Sequence, residues 1–278
     1  MTSSGVAKLP DYDDRLNRFH EAFALELRAM IMALPLTPGM RVLDFACGDG
    51  FYARYIGERL DGGGCVTGVD INLAYVAEAS EEAARVGLGG RTEFVVAAFD
   101  DLPFPDDVFD FVWCAQSFFS LPDPVSALRH MRRVLRPGGR VAILENDSVH
   151  QVCLPWPVHL ELPLRAAELR SFASENANAS KFYVGRRLPA VIAAAGFETP
   201  TFTTQAIDRQ APLGEPERAL LQSYLEDVAR RVAPFLAPSL FEELTRLVDP
   251  RSPTHLLRDK YLSMTWLNVL AMGRRKAG

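Results

Sequence analysis

Asp44, Gly48, Gly50 and Asp70 are the residues whose types and spacing could do chemistry. The segment VLDFACGDG (42–50) joins a short apolar run to a helical stretch. Glycines at 48 and 50 remove side chains where a ligand must approach the backbone. The helix that follows turns its positive end toward an anionic group. Asp70 closes a second apolar run about 20 residues further on, where a carboxylate can accept both hydroxyls of a ribose. Together these residues point to a ligand containing adenosine. The stretch GDGFYA (48–53) also fits a loose GxGxxA pattern, so a nicotinamide dinucleotide stays open. Asp44 discriminates between the two. An acid at that point sits badly beside a pyrophosphate and well beside the ammonium of an amino acid. S-adenosylmethionine supplies an amino acid and a ribose, with no phosphate.

The elements that must position these residues follow from the hydrophobic period. Leu16, Phe19, Phe23, Leu27, Met30 and Ile31 recur at three- and four-residue steps, which predicts an amphipathic helix over 11–34, ended by Pro35 and Pro38-Gly39. Strands are predicted over 41–45, 65–70, 92–97, 109–115 and 140–145, with helices over 51–60, 71–86 and 124–135 between them. That alternation implies a parallel sheet covered on both faces, a Rossmann-like, doubly wound α/β core. After Glu145 the rhythm breaks. Helices are expected at 162–172, 184–195, 215–232 and 238–248, and strands at 197–207 and 261–272. The chain therefore divides into a helical lid (1–36), a cofactor-binding core (37–150), and a helical cap with the closing strands of the same sheet (151–278).

Composition narrows the functions. The 278 residues are 48% hydrophobic, with a net charge of −5 and a pI near 5.6, so nucleic acid is not the expected partner. There is no apolar stretch of about 18 residues and no secretion signal, which predicts a cytoplasmic protein without a membrane span. Cys47, Cys65, Cys114 and Cys153 lie far apart, and no spacing suggests a metal.

Four segments carry a family resemblance. VLDFACGDG resembles motif I of the class I S-adenosylmethionine-dependent methyltransferases, and VTGVDIN (66–72) their second acidic motif. FDDLPFPDDVFDFVWC (99–114) and VLRPGGRVAILE (134–145) are similar to stretches of the ubiquinone-biosynthesis-like branch, also called methyltransferase type 11. All four stand in the family's order over roughly residues 40–146. YVGRRLPAVIAAAGFE (183–198) resembles the helix and strand that close such domains. The resemblance implies a mostly parallel seven-stranded sheet with an antiparallel last strand. It places S-adenosyl-L-methionine against Asp44, Ala46, Gly48, Gly50, Asp70, Ile71, Phe99, Asp100 and Gln116. Two departures stand out: Ala46 replaces a glycine, which is tolerable if its φ is negative, and Ala98 replaces an acid that holds adenine, a task left to Asp100 or Phe99.

The reaction implied is in-line displacement at a sulfonium methyl, which needs alignment and exclusion of water. If the acceptor must lose a proton, His150 is the first candidate base, with His159 and Tyr183 in reserve. Aromatic residues of the cap (Trp156, Phe172, Phe182, Tyr183, Tyr224, Phe235, Phe241), with no basic groove, favour a small or medium-sized lipophilic or aromatic acceptor such as a natural-product intermediate, whereas Tyr12 and Phe19 on the first helix read as core or lid packing. A monomer or homodimer is expected. The rival readings are an NAD(P)-dependent oxidoreductase, a non-catalytic binding homologue, and an enzyme that uses the same cofactor without methylating.

Overall fold

A computed structural model describes residues 13–60, 63–175 and 183–278. Tyr12 and Phe182 lie outside the described residues. The first helix, α1 (Asp13–Ala33), leads into β1 (Arg41–Phe45), α2 (Phe51–Arg59), β2 (Cys65–Asp70), α3 (Leu73–Arg85), β3 (Thr92–Val96), β4 (Phe109–Ala115), α4 (Pro124–Val134) and β5 (Leu135–Glu145). The cap region contributes β6 (Val152–Cys153), α5 (Val158–Glu175), α6 (Val184–Ala194), β7 (Glu198–Gln210), α7 (Glu215–Val232), α8 (Pro238–Val248) and β8 (Ser263–Arg274).

These strands form one eight-stranded sheet whose first part runs β3-β2-β1-β4-β5, all parallel. β8 then lies antiparallel to β5 and β7. The two-residue β6 meets β8 at Trp266 and Thr265, continuing the line of β5 on that edge. The seven strands expected are present with an antiparallel last strand, and β6 is the addition. It was invisible because two residues carry no alternation. The apolar strands β1 and β4 bury almost every residue, as strands covered on both faces must.

Alternate residues of each strand feed opposite cores. On one face Val42, Phe111, Trp113, Leu144 and Trp266 pack with α1, α2, α5, α7 and α8. On the other Leu43, Phe45, Val112, Cys114, Ile143 and Ala271 pack with α4 and α6. α1 lies against α2 and α7. It leaves helical geometry at Phe23, where the Arg209 guanidinium of β7 donates to the Ala22 carbonyl at 3.3 Å and stands over the Phe23 ring. A side chain that takes a carbonyl of the helical ladder is a sufficient cause for the kink.

Candidate active site

The loop after β1 alternates left-handed residues: Ala46 has φ +57°, Gly48 +52° and Gly50 +77°. The negative φ that would make Ala46 an easy replacement for glycine is not what the loop adopts, since the turn takes a positive φ at this position with alanine in it. A left-handed alanine costs about 1–2 kcal/mol. Ala46→Gly should recover part of that against about 0.4–1 kcal/mol of added chain entropy. We expect the ligand-free melting temperature to rise by about 2 °C, and a lowered one would show that the alanine is unstrained. At Gly50 a Cβ would meet the Ala79 Cβ at 3.0 Å and the Phe94 ring at 3.2 Å, whereas at Gly48 it would meet nothing within 4 Å. The loop is thus packed on its sheet side at Gly50 and open at Gly48. Asp49 accepts the Phe51 N–H at 3.0 Å, fastening the loop to the start of α2.

Asp44 pairs with Gly68 on β2 and Trp113 on β4 and is 1% exposed. Its Oδ2 has no hydrogen-bond partner. Burial pushes its carboxyl well above the usual range, and the charges of Asp49 and Asp70 push the same way against the Ala53 N–H. A buried acid with an unmet oxygen and two acids nearby calls for a cation with N–H donors. Asp70 is built differently. Its Oδ2 accepts the Gly48 N–H at 3.0 Å and its Oδ1 the Asn72 N–H at 2.9 Å. Burial raises its pKa, and the N–H groups of Asn72, Gly48 and Ile71 oppose the shift. It ties the ends of β1 and β2 together and keeps lone pairs for further donors.

The other cofactor candidates gather along the same carboxyl edge of the sheet. Ile71 is 73% exposed beside Asp70, and the Ala97 N–H bonds the Asp70 carbonyl at 3.0 Å, holding the run to Phe99 and Asp100 close by. Phe99 is half-buried and Asp100 exposed. Gln116 follows β4 with φ +53°, its N–H bonds the Leu144 carbonyl at 2.8 Å, and the Tyr52 hydroxyl donates to its Oε1 at 3.5 Å.

Of the three candidate proton acceptors, His150 and Tyr183 meet around Arg186 and His159 stands apart. His150 is exposed, and the Arg186 Nη2 donates to its Nδ1 at 2.7 Å. Arg186 also binds Asp147 and covers the Tyr183 ring. His150 and Tyr183 thus share one cluster around a guanidinium that occupies the histidine's lone pair. His159 pairs through Nε2 with Glu243 of α8 at 2.9 Å.

Two buried ionisable groups escaped the sequence reading or were only noted in passing. Glu145, 2% exposed, accepts the N–H groups of Phe118 at 2.7 Å, Phe119 at 3.3 Å and Asn146 at 3.2 Å. Burial raises its pKa to about 7 despite them. His20 of α1, 5% exposed, stacks on Phe51 at 3.9 Å with 8° between the rings and meets Tyr52 edge-on. Burial lowers its pKa to about 3. Gln116 lies near enough to favour the charged form, yet neither ring nitrogen has a hydrogen bond of normal geometry. The signal was present in the sequence: His20 falls on the apolar stripe, four residues after Leu16 and three before Phe23.

Comparison with known proteins agrees with this geometry. A family model described as "Methyltransferase domain" matches residues 43–143. The 27-O-demethylrifamycin SV methyltransferase of Amycolatopsis mediterranei is 36% identical over 132 residues, 48% of each chain. The ubiquinone/menaquinone biosynthesis C-methyltransferase UbiE of Geotalea daltonii is 36% identical over 118 residues, 42% of this chain and 50% of its own. The chain spans about half the length of the curated relatives it matches. Among solved structures, a SAM-dependent methyltransferase from Aquifex aeolicus superposes with a TM-score of 0.53 at 20% identity, covering 75% of this chain and 95% of that one. The [4+2]-cyclase SpnF gives 0.52 at 22%, covering 91% and 82%. These two likenesses establish the fold. The family match begins at Leu43 and takes in Asp44, the glycine loop and Asp70, so residues 43–143 match a methyltransferase domain and are similar to those of UbiE-like methyltransferases.

Proposed function

We propose that this chain moves the methyl group of S-adenosylmethionine in-line onto an oxygen, nitrogen or carbon of a small or medium-sized lipophilic or aromatic metabolite. The observation that carries the reading is the buried Asp44 carboxylate with its unmet Oδ2, which suits an amino acid's ammonium and not a pyrophosphate. When bound, the cofactor supplies an activated methyl on a sulfonium. Asp44 would hold the ammonium, the open backbone at Gly48 and the start of α2 the carboxylate, and Asp70 the ribose. Ile71, Phe99, Asp100 and Gln116 would border the adenosine. α1 serves as the lid that excludes water, residues 37–150 bind the cofactor, and residues 151–278 shape the acceptor pocket.

A lipophilic acceptor is supported by the relatives, whose names give 27-O-demethylrifamycin SV and ubiquinone or menaquinone biosynthesis. The net charge of −5 supports a small molecule over nucleic acid. No described helix is long and apolar enough to cross a membrane. A cytoplasmic monomer or homodimer is the matching setting.

Calorimetric titration with S-adenosylhomocysteine and, separately, NADH tests the reading. Binding of the first alone is expected, and binding of NADH alone would transfer the site to an oxidoreductase. Asp70→Ala should weaken S-adenosylhomocysteine binding by about 1.5–3 kcal/mol, the scale of a hydrogen bond to a charged group. Wild-type affinity in that variant would remove the ribose from Asp70.

A further inference from the structure

Beyond the carboxyl end of β5 stands a cluster of polar side chains that is open to solvent. Asp147 and His150 follow β5, and Tyr183 and Arg186 belong to the start of α6. The two segments are pressed together, since a Cβ at Gly185 would meet the Asn146 carbonyl oxygen at 2.9 Å. Ligands of open α/β sheets sit beyond the carboxyl ends of the strands. β5 is two places from β1 in the sheet, about 10 Å at ordinary strand spacing. The cluster therefore shares an edge with Asp44 and Asp70, beside the cofactor candidates and not among them.

The cluster is layered by charge. The Asp147 side chain is 11% exposed, against 48% for Arg186 and 60% for His150. Its Oδ1 accepts the Val149 N–H at 3.2 Å and its Oδ2 the Arg186 Nε, so the acid is spent underneath. The guanidinium is held flat by that bond and by the Tyr183 ring, 4.8 Å away. Its Nη2 donates to His150 Nδ1 at 2.7 Å. A guanidinium can only donate, so the imidazole keeps its hydrogen on Nε2. The approach of the same Nδ1 to Asp147 Oδ1, at 3.4 Å, is the longer and weaker contact. What the pair has left to offer is donors: the histidine's Nε2–H and the arginine's Nη1 hydrogens. Apolar surface adjoins them. Tyr183 packs with Val149 and Phe172, and Phe119, partly exposed, belongs to the turn that Glu145 ties to the end of β5. Donors bordered by aromatic rings complement a molecule with an oxygen anion at one end and a hydrophobic body. We propose that Arg186 and His150 hold a carboxylate of the methyl acceptor, so that the acceptor is an acidic lipophile and Arg186 sets its specificity. The inference rests on the methyltransferase reading above and names the acceptor class within it. His150 serves here as a hydrogen-bond donor and not as a base. A carboxylate on a guanidinium is a charge-assisted pair, and an acceptor of the same shape without the charge forgoes it.

The test is calorimetry on the full chain saturated with S-adenosylhomocysteine, with two probes: 3-hydroxy-2-naphthoate, and its uncharged amide of the same shape. The wild-type chain should bind the acid about tenfold more tightly than the amide, the scale of a hydrogen bond to a charged group. Arg186→Gln should bring the acid down to the affinity of the amide, while the amide and S-adenosylhomocysteine bind as in wild type. His150→Ala, at an exposed position, should cost the acid about threefold and the amide nothing, and it carries the test should the glutamine variant lose S-adenosylhomocysteine. Equal losses for acid and amide would reduce the cluster to a structural tie between β5 and α6 and overturn the proposal. A preference for the acid that survives Arg186→Gln would overturn it as well. So would a wild-type chain that binds S-adenosylhomocysteine and shows no preference for the acid, and that result would leave the methyltransferase reading standing. Failure of the wild-type chain to bind S-adenosylhomocysteine would overturn both.

Discussion

Asp44→Asn is expected to weaken S-adenosylhomocysteine binding by about 3 kcal/mol, more than a hundredfold, because it removes one partner of a buried charge pair. The same change should raise the melting temperature of the ligand-free protein. The two effects share one cause. Without ligand, the carboxyl is buried with an unmet oxygen and two acids close by, so an amide of the same shape is easier to bury. With an ammonium beside it, the charge becomes the attraction. A pH dependence follows, with a definite sign. The pKa of Asp44 is raised in the free protein, and the binding form is the anion. Ligand binding should therefore release a proton, and affinity should rise with pH up to the free protein's raised value. Calorimetry in buffers of different ionisation enthalpy reads the proton directly. Normal binding by the asparagine variant would dissociate Asp44 from the ligand.

Glu145 should make the ligand-free protein more stable as pH falls from about 8 to 5. Its folded pKa of about 7 lies above the ordinary 4.5. Its contribution is thus full below the unfolded value and is lost as pH rises through the folded one. The span corresponds to about 3 kcal/mol, and Asp44 acts in the same direction. The cost is the burial of a carboxylate that receives three backbone N–H groups, which do not offset the lost water. In return, the charge anchors the turn after β4, at Phe118 and Phe119, to the end of β5. Glu145→Gln should flatten the stability profile between pH 5 and 8, and the pH dependence of the difference from wild type is the readout. A profile unchanged by the substitution would show that Glu145 does not titrate in this range.

The strands and helices were legible where the hydrophobic period was clean. β4 at 109–115, α7 at 215–232 and α8 at 238–248 fall where the periodicity places them. β5 begins at Leu135 and not at residue 140. The run Pro137-Gly138-Gly139 reads as a stop, but it forms an irregularity within the strand, with Gly138 at φ +81°. The cofactor loop was legible because short-range chemistry shapes it, with glycines where backbone must be bare and acids at strand ends. What lay hidden depends on long-range packing. The left-handed Ala46 follows from the turn and not from alanine's preferences. The engagement of His150 by Arg186 joins residues 36 apart. The burial of His20 needs Phe51 and Tyr52 to arrive from another helix, so its stripe position reads as core packing until those rings are in place.

The most direct test is a crystal structure of the chain with S-adenosylhomocysteine. The account predicts its ammonium against the Asp44 Oδ2 and its ribose hydroxyls on Asp70. A dinucleotide's diphosphate over Gly48, or protein side chains filling the space beside Asp44, would contradict it.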